Sequence, residues 1–334
     1  MIGTQTPFRI SFAGGGSDLP EFYMRAGGAG GEPGCVLSTT INKYMYILVH
    51  PHFEQKILLK YAKTELVDTI EQVQHPLIRE CLRKFNVTGI DINSIADIPA
   101  GTGLASSSCF TVGLLHALYA YTNKYPSKEK LASEACEIEI DILREPIGKQ
   151  DQYAAAYGGL NFITFFPNGS VGVEPIRLQR EKFEELQDSL CLFYLGNNRK
   201  AGEILKHQRD RMLAEGKTLE SLRRMCGLAR NLRDSLQRQN LDDFGAILHE
   251  GWVLKQSLSD KISSGEIDQH YKTGIENGAK GGKLLGAGGS GFLLFFCKPE
   301  NQPKLAAALG LRQLKFRFDT FGSKVFYVGD AMMD

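Results

Sequence analysis

The 334-residue chain carries almost no net charge: 39 lysines and arginines against 38 aspartates and glutamates leave +1. That balance argues against a general binder of nucleic acid or anionic membrane, so any polyanion must be held in a local pocket. No Cys-x-x-Cys pair and no cluster of histidines suggests a zinc site. The seven cysteines are odd in number, far apart and mostly set in apolar runs, which reads as reduced core thiols. No apolar run reaches the roughly 18 residues of a membrane span, and the N-terminus has no signal-peptide pattern, so a cytoplasmic enzyme is expected. Internal repeats and long low-complexity stretches are also absent, though Gly27 to Gly34 is a glycine-rich loop of eight residues.

What the chain does hold is a strand, a glycine and serine loop, and a helix in direct succession. Gly89 to Ile95 alternates like a strand, and Phe110 to Tyr121 is apolar enough for a buried helix. Between them runs Ile98-Pro99-Ala100-Gly101-Thr102-Gly103-Leu104-Ala105-Ser106-Ser107-Ser108. Glycines let a backbone approach a ligand without a Cβ in the way, and the free N–H groups at a helix start attract phosphate. The phosphate loop ending in Gly-Lys-Ser/Thr is missing, and Gly101-x-Gly103 fits the dinucleotide fingerprint only loosely. On its own the segment reads either as a structural tight turn or as the phosphate loop of a different fold.

The length suggests two domains, 1–180 and 181–334. The first reads as mixed strands and helices. Its strands include Phe8 to Phe12, Tyr44 to Val49 and Lys56 to Tyr61, with a closing hairpin from Leu160 to Ile176 across Pro167-Asn168-Gly169. The second reads as a helix-rich α+β unit: a strand at Leu190 to Leu195, several amphipathic helices, the strand Phe292 to Cys297, another helix, and short strands near Leu314 and Val325.

Ser127 can cap a helix running to about Arg144. On it Leu131, Ala135, Ile138 and Ile142 form an apolar stripe, with Glu139 inside it, while Glu134, Glu137 and Asp141 fall on the solvated side. A carboxylate on a buried face needs a cation, and a metal ion is one candidate. Asp151 follows the helix break, where it serves either as a turn former or as a base. Arg9 alternates with Phe8 and Ile10, so it points off the core face, where it pairs with a site carboxylate or makes an ordinary edge salt bridge. A third cluster, Lys283 to Gly291, places more glycines before a strand than a tight turn needs.

Three segments, Pro7 to Asp18, Pro99 to Ser108 and Lys283 to Gly291, resemble in order and spacing the motifs of the galactokinase, homoserine kinase, mevalonate kinase and phosphomevalonate kinase (GHMP) superfamily. The resemblance implies a two-domain GHMP-kinase fold, with an N-terminal mixed sheet and a helix-rich, ferredoxin-like C-terminal domain. It further implies a phosphotransferase that uses ATP and Mg²⁺. Pro99, Gly101, Thr102, Gly103, Leu104, Ala105, Ser106, Ser107 and Ser108 would bind ATP, and Ser107 and Glu139 would ligate the metal. Asp151 and Arg9 would be catalytic. Gly15, Gly16, Ser17 and Asp18, with Gly288, Gly289 and Ser290, would line the substrate site.

Within the superfamily, Phe12 to Tyr23 and Gly148 to Ala155 look most like bacterial heptose kinases that phosphorylate the anomeric hydroxyl of D-glycero-D-manno-heptose 7-phosphate. Galactokinases have Glu-His where this chain has Gly15-Gly16. A kinase of a free sugar such as fucose, a non-catalytic sugar sensor and a dinucleotide oxidoreductase stand as alternatives. Two departures stand out: Ala105 replaces a glycine, and Asn197 to Lys200 is atypical. For a distal substrate phosphate, Arg199 and Lys200 compete with Lys43, Arg25 and Lys149. The expected partners are a sugar phosphate and ATP, with monomer and homodimer equally open.

Overall fold

Strand β2 organises the first half of the molecule. In a computed structural model that describes residues 1–24, 32–196, 204 and 216–329, this 18-residue strand (Gly34–Pro51) pairs antiparallel with β1 (Ile2–Gly14) along most of its length. Its other edge is shared: β6 (Asn161–Phe165) takes the beginning, and β5 (Ile90–Ala96) takes the end. Strands β3 (Ile57–Lys60), β4 (Thr64–Val67) and β7 (Val171–Pro175) extend the sheet, and β3 with β5 is its one parallel pair among the described strands.

β1 is buried on both faces. Helices α3 (Ser106–Tyr121) and α5 (Gln150–Tyr157) pack on it, and so do α7 (Gly216–Gln237) and α8 (Phe244–Gln256) from the second half. Phe12 meets Phe244 edge-on at 5.1 Å between ring centroids. The face that carries Arg9 is therefore a second interior. Pro7, with no N–H to donate, sits where the register jumps from Pro7 opposite Tyr44 to Phe8 opposite Ile41.

Four shorter helices complete the first half: α1 (Pro20–Tyr23), α2 (Pro76–Phe85), α4 (Lys128–Cys136) and α6 (Arg180–Asp188). Ser127 caps α4, its hydroxyl accepting from Lys130 N at 3.1 Å. The expected single helix to Arg144 gives way to a π-helical turn over Glu137–Ile142. The wider turn rotates the residues that come after it, so Ile142, expected on the apolar stripe, is 49% exposed, while Glu139 stays fully buried. Glu134, expected to be solvated, is half-buried and accepts from Tyr119 Oη at 2.7 Å.

The second sheet is antiparallel, with strands β8 (Leu190–Gly196), β9 (Gly281–Leu284), β10 (Gly291–Phe296) and β11 (Arg312–Leu314) in the order β11-β8-β10-β9. Numbered within the unit this is 4-1-3-2, the split βαβ arrangement expected of a ferredoxin-like domain. Helices α7, α8 and α9 (Gly265–Glu276) form the first crossover, and α10 (Gln302–Leu309) forms the second. The chain then leaves this sheet. β12 (Phe318–Asp319) pairs with β2, and β13 (Lys324–Val328) pairs with β1, so the strand expected near Val325 completes the first sheet rather than the second. All seven cysteines are buried and free. No described helix is long and apolar enough to cross a membrane.

Candidate active site

The loop from β5 into α3 turns on three positive φ angles: Gly101 at 78°, Gly103 at 82° and Ala105 at 69°. Ala105 is the N-cap of α3 and sits in the left-handed region, where a side chain is strained. Behind it α3 is buried nearly all round, which fixes the direction of its N-terminal N–H groups. The loop is locked from the far side. A Cβ at Gly103 would lie 2.7 Å from Leu285 O, and one at Gly286 would overlap Gly103 Cα. The second and third glycine segments thus touch backbone to backbone, and any side chain there would force them apart.

A cleft of about 280 Å³ opens beside this contact. Arg9 crosses its floor. Nη1 donates to Gly103 O at 2.7 Å, while Nε and Nη2 reach Asp151 Oδ1 at 2.8 and 2.7 Å. Asp151 lies in the first turn of α5 and is 24% exposed, against 4% for Arg9. Both bonds fall on one oxygen, and among the described residues Oδ2 has no hydrogen-bond partner. A guanidinium clamped this way holds its carboxylate in place.

Asp18 faces the same cleft from the loop after β1, its Oδ2 accepting from Gln150 N at 3.3 Å. Burial, reinforced by the nearby charge of Asp151, raises its carboxyl to about 6. A Cβ at Gly148 would collide with that oxygen, so only glycine fits there. Gln150 Oε1 lines the cleft near Gly15 and is buried without a partner. Glu139, fully buried, accepts from Ser107 Oγ at 2.8 Å and Gln152 Nε2 at 2.5 Å, and burial raises it to about 6. Hence the π turn and the start of α3 bring one carboxylate and one hydroxyl together, although 32 residues separate them.

Of the residues singled out from sequence, Arg9, Gly15, Gly16, Asp18, Gly101, Gly103, Ala105, Ser106, Ser107, Ser108 and Asp151 line the cleft. Others do not. Pro99 O accepts from Thr102 Oγ1 at 3.0 Å, and Leu104 is buried, so these three shape the loop. Ser17 is buried and its hydroxyl bonds to the backbone of Cys35. Gly288, Gly289 and Ser290 lie outside the lining: Gly289 N donates to Ile262 O at 2.8 Å, and the neighbours Gly286 and Ala287 face the cleft instead. Lys149 lies apart, donating to Gly169 O at 2.7 Å, and Lys43 is also outside the lining. Arg25, Arg199 and Lys200, with most of the Gly27 to Gly34 loop, fall outside the described residues.

Sequence reasoning passed over Gln152, Lys255 and the role of Lys283. Both lysines line the cleft. A signal for Lys255 existed: it continues the Phe244, Leu248, Trp252 face of α8, where a charged residue breaks an otherwise apolar stripe.

Comparison with known proteins extends this geometry. Residues 70–159 match the model for the GHMP kinases N terminal domain, and residues 232–317 match that for GHMP kinases C terminal. A D-glycero-alpha-D-manno-heptose 7-phosphate kinase of Campylobacter jejuni is 30% identical over 93% of this chain and 94% of its own. The bifunctional fucokinase/GDP-fucose pyrophosphorylase of Arabidopsis thaliana is 28% identical over 90% of this chain and 30% of its own. Among solved structures, a D-glycero-D-manno-heptose 1-phosphate kinase from Bacteroides thetaiotaomicron superposes with a TM-score of 0.80 at 24% identity, covering 99% of this chain and 100% of that one. The Lactococcus lactis galactokinase complexed with galactose gives 0.75 at 15%, over 98% and 95%. With two glycine loops locked around an Arg9–Asp151 pair, and both domains matched in order, the chain belongs to the GHMP kinases.

Proposed function

We propose that this kinase transfers the terminal phosphoryl group of ATP to the anomeric hydroxyl of a heptose phosphate, converting D-glycero-D-manno-heptose 7-phosphate to the 1,7-bisphosphate. The observation that carries the reading is the placement of Asp151 between the phosphate loop and the sugar-side loop. It is bonded to Arg9, which itself reaches Gly103 O. Gly15 and Gly16 leave the sugar side free of bulk, and Asp18 and the unpartnered Gln150 Oε1 offer acceptors to sugar hydroxyls.

In this reading Asp151 takes the proton of the attacking hydroxyl as the new O–P bond forms and the bond to the ADP oxygen breaks. Arg9 fixes Asp151 and neutralises charge on the group in transfer. Mg²⁺ fits the donor set of Ser107 and Glu139, since it takes one or two carboxylates and completes its shell with water and phosphate oxygens. When bound, it would neutralise phosphate charge. The similarity to the fucokinase supports a second reading, a kinase of a free sugar.

A coupled ADP-release assay over a panel of sugars and sugar phosphates decides between them. Heptose 7-phosphate is expected to give the highest kcat/KM. Turnover of fucose or another unphosphorylated sugar with none of the heptose phosphate defeats the proposal.

A further inference from the structure

We infer that Lys255 and Lys283 together form a phosphate-receiving site on the wall of the cleft built by α8 and β9. Both are more than nine-tenths buried, at 9% and 4% exposure, and both line the cleft. Their ammonium groups donate only to backbone carbonyls. Lys255 Nζ reaches Leu284 O at 2.9 Å and Gly286 O at 2.5 Å, and Lys283 Nζ reaches Phe12 O at 3.2 Å. Among the described residues neither lysine pairs with a carboxylate. Arg9, the third cation here, has Asp151. Buried cations are ordinarily matched by an anion, and two left unmatched in one cleft mark the place of an anion not part of the protein.

A carbonyl-bound ammonium keeps a free N–H, so each lysine still has a donor to offer. Position narrows the choice of anion. Gly286, whose carbonyl holds Lys255, packs on Gly103 of the phosphate loop. Burial pushes both lysines down, Lys283 to about 7, helped by the charge of Arg9 and, for Lys255, that of Lys283, and an arriving dianion would reverse that. A phosphate group has the charge and the acceptor count for the pair, and it can come from the nucleotide's terminal phosphate or from the acceptor's own. The inference rests on the phosphoryl-transfer reading above but not on the identity of the sugar.

The test measures binding directly by calorimetry for the full chain, Lys255→Met and Lys283→Met. The ligands are a non-hydrolysable ATP analogue, adenosine and heptose 7-phosphate. Methionine keeps the volume and removes the charge, and thermal unfolding checks that each variant folds. The expected result is a loss of at least tenfold in affinity for one phosphate-bearing ligand, with adenosine unchanged and the melting temperature equal or higher. Loss confined to the ATP analogue assigns the pair to the donor, and loss confined to heptose 7-phosphate assigns it to the acceptor. Unchanged affinity for both, or a parallel loss of adenosine and thermal stability, overturns the inference. Failure of the parent chain to bind heptose 7-phosphate would instead count against the proposed sugar, leaving the nucleotide arm to judge the lysines.

Discussion

Asp18 shows how the cleft holds a charge at a cost. Folded, it keeps its proton to about pH 6, against an ordinary value of 3.8, chiefly because it is buried. Between those values the folded chain binds more protons than the unfolded one, so stability falls as pH rises through that window. Above pH 6 the cost is fully present and amounts to about 3 kcal/mol. Asp18→Asn is therefore expected to melt higher than the parent at pH 8, with the difference closing by pH 4, and to raise KM for the sugar severalfold. Equal melting at pH 8 would contradict the burial argument. For Asp151→Asn the expectation is a fall in kcat of about 10²- to 10⁴-fold with nucleotide affinity preserved, since only proton transfer is removed. Near-parental turnover would place the base elsewhere. The acids and Arg9 were legible in the sequence because each broke a local pattern next to a motif. Lys255 also breaks an apolar stripe, but no motif stands beside it to draw notice, and the packing of α8 against β9 is what puts it inside.

At the level of elements, the start of α3 and the end of α4 carry the site, and each departs from ideal geometry. The helix-to-π transition delivers Glu139 to Ser107, and no residue periodicity announces an extra residue in a turn. The strand, loop and helix order around residue 100 was legible throughout, because alternation, glycines and a continuous apolar run are all local signals. What could not be read was the backbone angle at Ala105, since a methyl group is tolerated in a helix and penalised at its left-handed cap. Ala105→Gly is expected to stabilise the chain by about 1 kcal/mol, because at positive φ the relief of strain outweighs the glycine's greater unfolded freedom. A denaturant midpoint that stays put or moves down would show that neighbouring contacts of the methyl matter more.

For the molecule as a whole, strand pairing crosses between the two halves of the chain. β12 and β13 return from the second half to bond with β2 and β1, a pairing over more than 270 residues that no local pattern encodes. Ending the chain after Leu314 would strip one edge of β1. The expected outcome is a marked fall in the melting temperature, seen alike by far-UV signal and by the fluorescence of Trp252, the single and buried tryptophan of the second half. Trp252 melting at its original temperature would mean that the halves unfold independently. The ferredoxin-like order of the second sheet was anticipated through family resemblance. Strand composition alone does not specify which edges meet.

The abutment of Gly103 on Gly286 sets a rule for anyone recombining this architecture. Because each backbone fills the space where the other's side chain would go, the two loops are fitted as a matched pair, and a substitution on one surface must be answered on the other. A hybrid spliced near residue 180 from two different parents would bring together halves never selected for one another. Its defects would appear at that seam and where β12 and β13 meet β2 and β1.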